Sequence, residues 1–450
     1  MKMLPDHSLW GRTEAAGLAR SRFVADAAGR LDLQGFAKGA GAATTLRGQS
    51  VMISADRQLP AVQALLALDG VARRVLLCPP DLRPDDVEAV MAEANVDAVV
   101  GDGTGPAARA GMPMQPIPAG PQPGRTNATE WLLFTSGTTG RPKLVVHSLA
   151  SLAGPLQEGP AATDLVWSTF YDVRRYGGLQ ILLRALLGGG SLVLSQSGEK
   201  MGEFLHRAGQ AGVTHLLGTP SHWRLVLMSG AADQVTPQYV RLSGEVADQV
   251  ILDKLAAAFP QVAIVHAFAS TEAGVGFEVK DGLAGFPVSY VGAAGMAAEI
   301  RIVDGSLRLR SSRTGSRYLG DRGTLADADG FVDTGDVVER VGDRYLFAGR
   351  REGIVNVGGQ KVHPEEVEAV MARHPAVQVA RVFARSSPVT GAIVAAEVVM
   401  RSDAPAFATV RDELLDLCRS ALPPHKVPAS IRQVDSIAIA PSGKVTRPRA

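Results

Sequence analysis

Short apolar runs alternate along this chain with stretches whose apolar positions recur at helical spacing. Residues 50–54, 74–78 and 96–100 are compact apolar runs and predict buried strands. Between them, 60–68 and 85–94 carry the helical period. The same alternation returns at 191–194, 200–210 and 214–217, and again at 249–259 and 263–265. Strand and helix in strict turn predict an α/β fold, with largely parallel sheets covered by helices.

The character changes after about residue 295. Residues 300–309 and 331–347 read as short antiparallel strands joined by Asp-Gly and Gly-Asp turns, a small β-barrel-like part. From residue 362 the pattern is helix (364–371), strand (377–383), strand (391–399), helix (409–422) and strand (430–434), enough for a small α+β domain. A polar, glycine-flanked joint at 349–353 separates the two. The expected division is a large domain, 1–349, and a small mobile one, 350–450. The first strand pattern appears near Ser50, so an N-terminal subdomain is expected to be reduced.

Composition narrows the function classes. The chain has 450 residues, with 46 Lys and Arg against 45 Asp and Glu, a net charge of +1. That balance argues against non-specific nucleic-acid binding, which an excess of basic charge carries. The two cysteines, Cys78 and Cys418, match no metal spacing and read as reduced thiols of a cytoplasmic protein. Residues 1–12 hold Asp6, His7 and Arg12 and no apolar core of a secretory signal. The most apolar stretch, 177–194, is interrupted by Arg184 and by glycines, so no membrane span is expected.

The chemistry concentrates after the apolar run Trp131-Leu132-Leu133-Phe134. It leads into Thr135-Ser136-Gly137-Thr138-Thr139-Gly140-Arg141-Pro142-Lys143. Glycines let backbone N–H groups turn toward an anion, hydroxyls donate to phosphate oxygens, and a lysine adds charge. The loop lacks the Gly-Lys-Ser/Thr of a Walker A motif.

This loop resembles the phosphate loop of the adenylate-forming superfamily, which holds acyl- and aryl-CoA synthetases, peptide-synthetase adenylation domains and luciferase-like enzymes. Five further segments resemble the family's motifs in order. They are Arg241-Leu242-Ser243-Gly244-Glu245-Val246, Phe268-Ala269-Ser270-Thr271-Glu272, Thr334-Gly335-Asp336, Gly349-Arg350-Arg351-Glu352 with the glycine loop at Gly358 and Gly359, and Pro441-Ser442-Gly443-Lys444. The resemblance implies ATP-dependent conversion of a carboxylic acid to an acyl-adenylate, then transfer to a thiol.

By that resemblance, Thr135, Ser136, Gly137, Thr138, Thr139, Gly140 and Lys143 hold the ATP phosphates. Gly244, Glu245, Val246, His266, Ala267 and Phe268 lie around adenine, with Phe268 stacked on it. Thr271 meets the α-phosphate, and Glu272 helps bind Mg²⁺. Asp336 accepts hydrogen bonds from the ribose hydroxyls and Arg350 assists. Lys444 joins the α-phosphate to the substrate carboxylate in the first step. Rotation at Glu352 then swings Lys444 away and brings Gly358 and Gly359 to the tunnel for the thiol. Phe268 and Ala269 replace the family's usual Tyr and Gly.

For the acyl pocket the candidates are Tyr171, Arg175, Gly178 and His222. Arg175 falls near the family's usual histidine. It either clamps a second polar group of the substrate or pairs with Asp172. His215 reads as a core histidine and His266 as a pocket residue. The thiol acceptor is coenzyme A, or alternatively an acyl carrier protein. A non-catalytic nucleotide-binding homologue is the reading from a different class. A monomer or homodimer is expected.

Overall fold

The computed structural model describes residues 7–18, 21–39, 45–135, 143–154, 156, 158–160, 164–320, 323–357, 360–387, 391–438 and 445. A seven-stranded sheet carries the strands on either side of the hydroxyl-glycine stretch 135–143. Its order is Arg317–Tyr318, Leu144–Ser148, Glu130–Phe134, Arg74–Leu77, Ser50–Ser54, Ala98–Gly101 and Gln115–Pro116. From Glu130–Phe134 to Gln115–Pro116 the pairs run parallel, and Leu144–Ser148 adds antiparallel to the other side. Ser50–Ser54 and Arg74–Leu77 are buried throughout, as suits strands covered on both faces.

An eight-stranded sheet packs beside it. Its order is Gly274–Val279, Ala263–Ser270, Tyr239–Ser243, His215–Gly218, Val166–Thr169, Ser191–Leu194, Phe23–Asp26 and Gly29–Asp32, parallel inside and antiparallel at both edges. The N-terminal hairpin corrects the expectation that strand structure starts near Ser50. Phe23–Asp26 pairs parallel with Ser191–Leu194. Each hairpin strand has only four residues, and Gly29–Asp32 has no buried residue, so no apolar run announces it. The preceding helix, Leu9–Ala15, is capped by Ser8 and fastened by Asp69. The Asp69 carboxylate accepts from Leu9 N–H at 2.6 Å and from Trp131 Nε1–H at 2.8 Å.

The apolar stretch at 177–194 folds as the helix Tyr176–Leu187 followed by the strand Ser191–Leu194. Every residue of that helix is buried except Gly177 and Arg184, which are two turns apart and so share one face. Among the described residues, no helix is long and apolar enough to cross a membrane.

The β-barrel-like part is a five-stranded antiparallel sheet, in the order Phe286–Pro287, Arg344–Arg350, Val332–Val341, Ser306–Arg310 and Glu299–Val303. Past it, the strands Val377–Ser387, Gly391–Met400 and Ser430–Gln433 carry the helices Pro364–Met371 and Phe407–Ala421. These enclose a separate core that includes Val367, Met371, Val398, Leu414 and Cys418. At the junction Gly349 has φ +140°, a backbone conformation that side-chain-bearing residues rarely adopt and that favours glycine. Arg351 spans the same junction, donating to Ser306 Oγ at 2.6 Å and to Asp333 at 3.0 Å. Both cysteines are buried and free, their thiols pushed up by burial to about 12 for Cys78 and about 11 for Cys418.

Candidate active site

Thr135 leaves the strand Glu130–Phe134, and its N–H donates to the Lys143 carbonyl at 3.0 Å. That bond joins the two ends of the hydroxyl-glycine loop. Ser136, Gly137, Thr138, Thr139 and Gly140 lie outside the described residues, as do Gly358, Gly359 and Lys444. Lys143 Nζ stands 5.3 Å from the Tyr318 ring centroid, within cation–π range. The Tyr318 hydroxyl is 3.5 Å from Glu272 Oε1. Tyr318 arrives there because Arg317–Tyr318 pairs antiparallel with Leu144–Ser148. The Glu272 backbone is held from the same side, its carbonyl accepting from Gly315 N–H at 2.9 Å. The Glu272 carboxylate forms no ion pair among the described residues. A carboxylate in this position is a donor that suits a hard cation such as Mg²⁺.

Behind Thr271 sits His147, which is 1% exposed. Its Nε2 lies 2.8 Å from the Thr271 carbonyl, and since a carbonyl only accepts, Nε2 carries the proton. Burial lowers His147 to about 4, so the ring is neutral at pH 7 and holds the Thr271-Glu272 turn by one directed bond.

A second group forms where Tyr239–Ser243 ends. The Tyr171 hydroxyl donates to the Ser243 carbonyl at 2.7 Å and accepts from Ser243 N–H at 3.2 Å, and burial drives its pKa up. These bonds fix the turn at Gly244, whose φ is +86°. The carboxylate of the next residue, Glu245, is engaged at both oxygens. Oε2 accepts from Ser221 N–H and Oε1 from Val445 N–H, each at 3.0 Å. Ser221 belongs to the helix Pro220–Met228, and Val445 is the residue after Lys444. Glu245 therefore ties Val445 to the first turn of the helix Pro220–Met228.

His222 lies on the same helix. Its Nδ1 accepts from Thr219 N–H at 3.2 Å, which leaves the proton on Nε2, and burial lowers it to about 4. Its ring stacks on Phe170 at 5.2 Å and meets Tyr171 edge-on at 6.1 Å. On the five-stranded sheet, Asp336 and Arg350 face each other across paired strands. Arg350 Nε is 3.3 Å from Asp336 Oδ1, so the two residues expected at the ribose are brought together.

Several expected roles meet a different geometry. The ring of Phe268 stacks with Phe277 at 5.8 Å and with Phe347 at 5.5 Å, so protein aromatics engage it. The Glu245 carboxylate is taken up by two backbone N–H groups. Arg175 does not pair with Asp172; it donates to Asp81 at 2.6 Å and 2.7 Å. The buried partner of Asp172 is its neighbour Arg174, with Nε 2.7 Å from Asp172 Oδ1. Identical residue types at adjacent positions hid which one turns inward. His266 is 8% exposed, and its Nε2–H donates to the Leu283 carbonyl at 2.9 Å, a satisfied structural contact. His215 is half-buried between Trp167 and Tyr239, with centroids at 4.4 Å and 5.4 Å. Gly178 is buried against its own loop: a Cβ there would lie 2.3 Å from the Asp172 carbonyl oxygen. The alternation missed His147 and Tyr318. His147 has one faint signal, a polar residue ending an apolar run just after the loop. Tyr318 has none, because strand pairing across the chain puts it there.

Two α/β sheets are followed by a small α+β unit with its own core, and Val445 is tied back to Glu245. The family model described as AMP-binding enzyme matches residues 36–316, and that described as AMP-binding enzyme C-terminal domain matches 366–444. The chain belongs to the AMP-binding enzyme family, within the adenylate-forming superfamily of acyl- and aryl-CoA synthetases. It is 29% identical over 348 residues to CymA of Salinispora arenicola, named as a nonribosomal peptide synthetase; this covers 70% of the chain but 4% of that protein. It is 27% identical over 338 residues to a 2-succinylbenzoate–CoA ligase of Listeria innocua, covering 71% of the chain and 69% of the relative. In fold it resembles the anthranilate CoA ligase AuaEII in complex with anthranoyl-AMP, with TM-score 0.79, 17% identity, and 98% and 96% of the two chains covered.

Proposed function

We propose that the protein is an ATP-dependent acyl- or aryl-CoA ligase. A carboxylate attacks the α-phosphate of ATP to give acyl-AMP and pyrophosphate. The thiol of coenzyme A then attacks the acyl carbon and releases AMP. The observation that carries this reading is the contact from Glu245 to Val445. It holds Val445, the residue after Lys444 in sequence, on the carboxylate that also binds the helix start at Ser221, as the first step requires.

In this reading the loop at 135–143 holds the β- and γ-phosphates. Thr271 meets the α-phosphate on a turn that His147 fixes. Glu272 supplies the protein oxygen for Mg²⁺, which neutralises phosphate charge when bound. Asp336 and Arg350 orient the ribose, so that attack is in line without reorganisation. Lys444 neutralises two anions as they meet. The division at 349/350, rotation at Glu352 and a thiol path along Gly358 and Gly359 belong to the same proposal. The first test incubates protein, ATP, Mg²⁺ and a panel of acids with CoA and looks for thioester by mass. Thioester with release of AMP supports the ligase. The similarity to CymA favours a second reading, in which the acceptor is the thiol of a carrier protein. Pyrophosphate without CoA thioester selects that reading.

A further inference from the structure

The short strand Arg317–Tyr318 is fastened beside the hydroxyl-glycine stretch by bonds on both sides of it. Ser316 N–H donates to the Val146 carbonyl and Leu319 N–H to the Leu144 carbonyl, each at 2.8 Å. Gly315 lies tight against the same neighbouring strand, where a Cβ would clash with Val145. Successive side chains of a strand leave on opposite faces. Arg317 pairs with Glu130 Oε1 at 2.6 Å. Tyr318 is left to the other face, toward Lys143 and Glu272. Anchoring of the arginine therefore helps to fix where the tyrosine points.

Tyr318 is in reach of two opposite charges. Its ring centroid is 5.3 Å from Lys143 Nζ, and its hydroxyl is 3.5 Å from Glu272 Oε1, the long limit of a hydrogen bond. Lys143 is exposed, and Tyr318 and Glu272 are partly exposed, so all three border solvent. Among the described residues, neither Lys143 nor Glu272 enters an ion pair. A cation and an anion this close to one side chain attract each other, and each would neutralise the other if they met. A ring face holds an ammonium without taking its charge or its outward N–H donors. A hydroxyl that donates to one carboxylate oxygen leaves the other oxygen and the negative charge in place.

The geometry points to Tyr318 as a positioning residue for the ATP phosphates: it holds Lys143 and Glu272 apart, so that the lysine stays open to phosphate oxygens and the carboxylate to Mg²⁺. This rests on the ligase reading, which assigns those ligands to Lys143 and Glu272, and it adds a residue to which that reading gives no role.

The test is calorimetric binding of ATP without Mg²⁺, ATP with Mg²⁺, and AMP to the full chain, with no acid present and no turnover. Tyr318→Ala lets Lys143 close on Glu272. It is expected to weaken Mg²⁺-free ATP by about 10-fold, the scale of a partly desolvated cation–π contact. AMP lacks the β- and γ-phosphates, and its affinity is expected to stay within about twofold. In a Glu272→Gln background the same substitution is expected to cost less than about threefold, because no carboxylate remains for the lysine to meet. Tyr318→Phe keeps the ring, so Mg²⁺-free ATP affinity stays within about twofold, while loss of the hydroxyl shrinks the gain on adding Mg²⁺ by about threefold. A Tyr318→Ala loss shared equally by ATP and AMP, or undiminished by Glu272→Gln, overturns the inference. So does a Tyr318→Phe variant that loses Mg²⁺-free ATP by 10-fold. Tyr318→Phe preserves the ring's volume, so that arm decides the matter even where Tyr318→Ala folds poorly. Failure of the wild type to bind either nucleotide overturns the ligase reading itself, a result distinct from all of these.

Discussion

Replacing Glu245 by alanine separates the two half-reactions. The carboxylate holds Ser221 N–H with one oxygen and Val445 N–H with the other, both at 3.0 Å. A hydrogen bond to a charged group contributes about 1.5–3 kcal/mol. Loss of the Ser221 bond falls on the first turn of the helix Pro220–Met228 and costs stability of about 1 kcal/mol, as for a lost cap. Loss of the Val445 bond releases the residue next to Lys444, on which the proposed first step depends. If its full contribution is lost from the first step, the rate drops by about 10- to 100-fold, since about 1.4 kcal/mol is a factor of ten. In the proposed reading the second step uses the other domain arrangement and loses nothing. The assay measures acyl-adenylate formation from acid and ATP, and separately thioester formation from a preformed acyl-adenylate and CoA. Glu245→Ala is expected to slow the first and spare the second. Equal slowing of both, or a first step within about twofold of wild type, refutes the latch.

Other perturbations follow from the same geometry. Gly349→Ala forces a side chain into a φ of +140° and against Glu365 Oε2 at 2.6 Å. It is expected to destabilise the junction by at least about 1 kcal/mol, read as a lower melting temperature or a separate early transition. Arg174→Met strands the buried Asp172 carboxylate without its partner and is expected to cost about 3–5 kcal/mol in denaturant unfolding. Acid also weakens the fold in a defined window. His147 and His222 are held neutral to about 4, while the unfolded chain protonates them near 6.5. The unfolded state thus binds more protons between these values, and stability falls as pH drops from about 6.5 toward 4. The His147 share is about 3 kcal/mol at the acid end. Comparing wild type with His147→Gln isolates it: the variant's stability is expected to be flatter across that window.

The sequence was most legible where the physics is local. The strands Ser50–Ser54 and Ser191–Leu194 and the helix Pro364–Met371 are found at the residues their patterns predict. A buried strand must be apolar, and a covered helix must repeat its apolar face. The phosphate loop is proposed for a similar reason, since anion cradling demands glycines and hydroxyls in one stretch. What failed depends on pairing between distant segments. The Phe23–Asp26 hairpin is a strand only because Ser191–Leu194 accepts it. Whether Arg174 or Arg175 turns inward depends on Asp81, nearly a hundred residues away. The contacts of Phe268 with Phe277 and Phe347, which come from other strands, have no local pattern either.

The central claim is that these residues activate a carboxylate by adenylation, and acid-dependent exchange of labelled pyrophosphate into ATP measures that step alone. The account predicts exchange that requires the acid and Mg²⁺, does not require CoA, and is lost in Lys444→Ala. Exchange unaffected by Lys444→Ala, or none with any acid although the protein binds ATP, would contradict it.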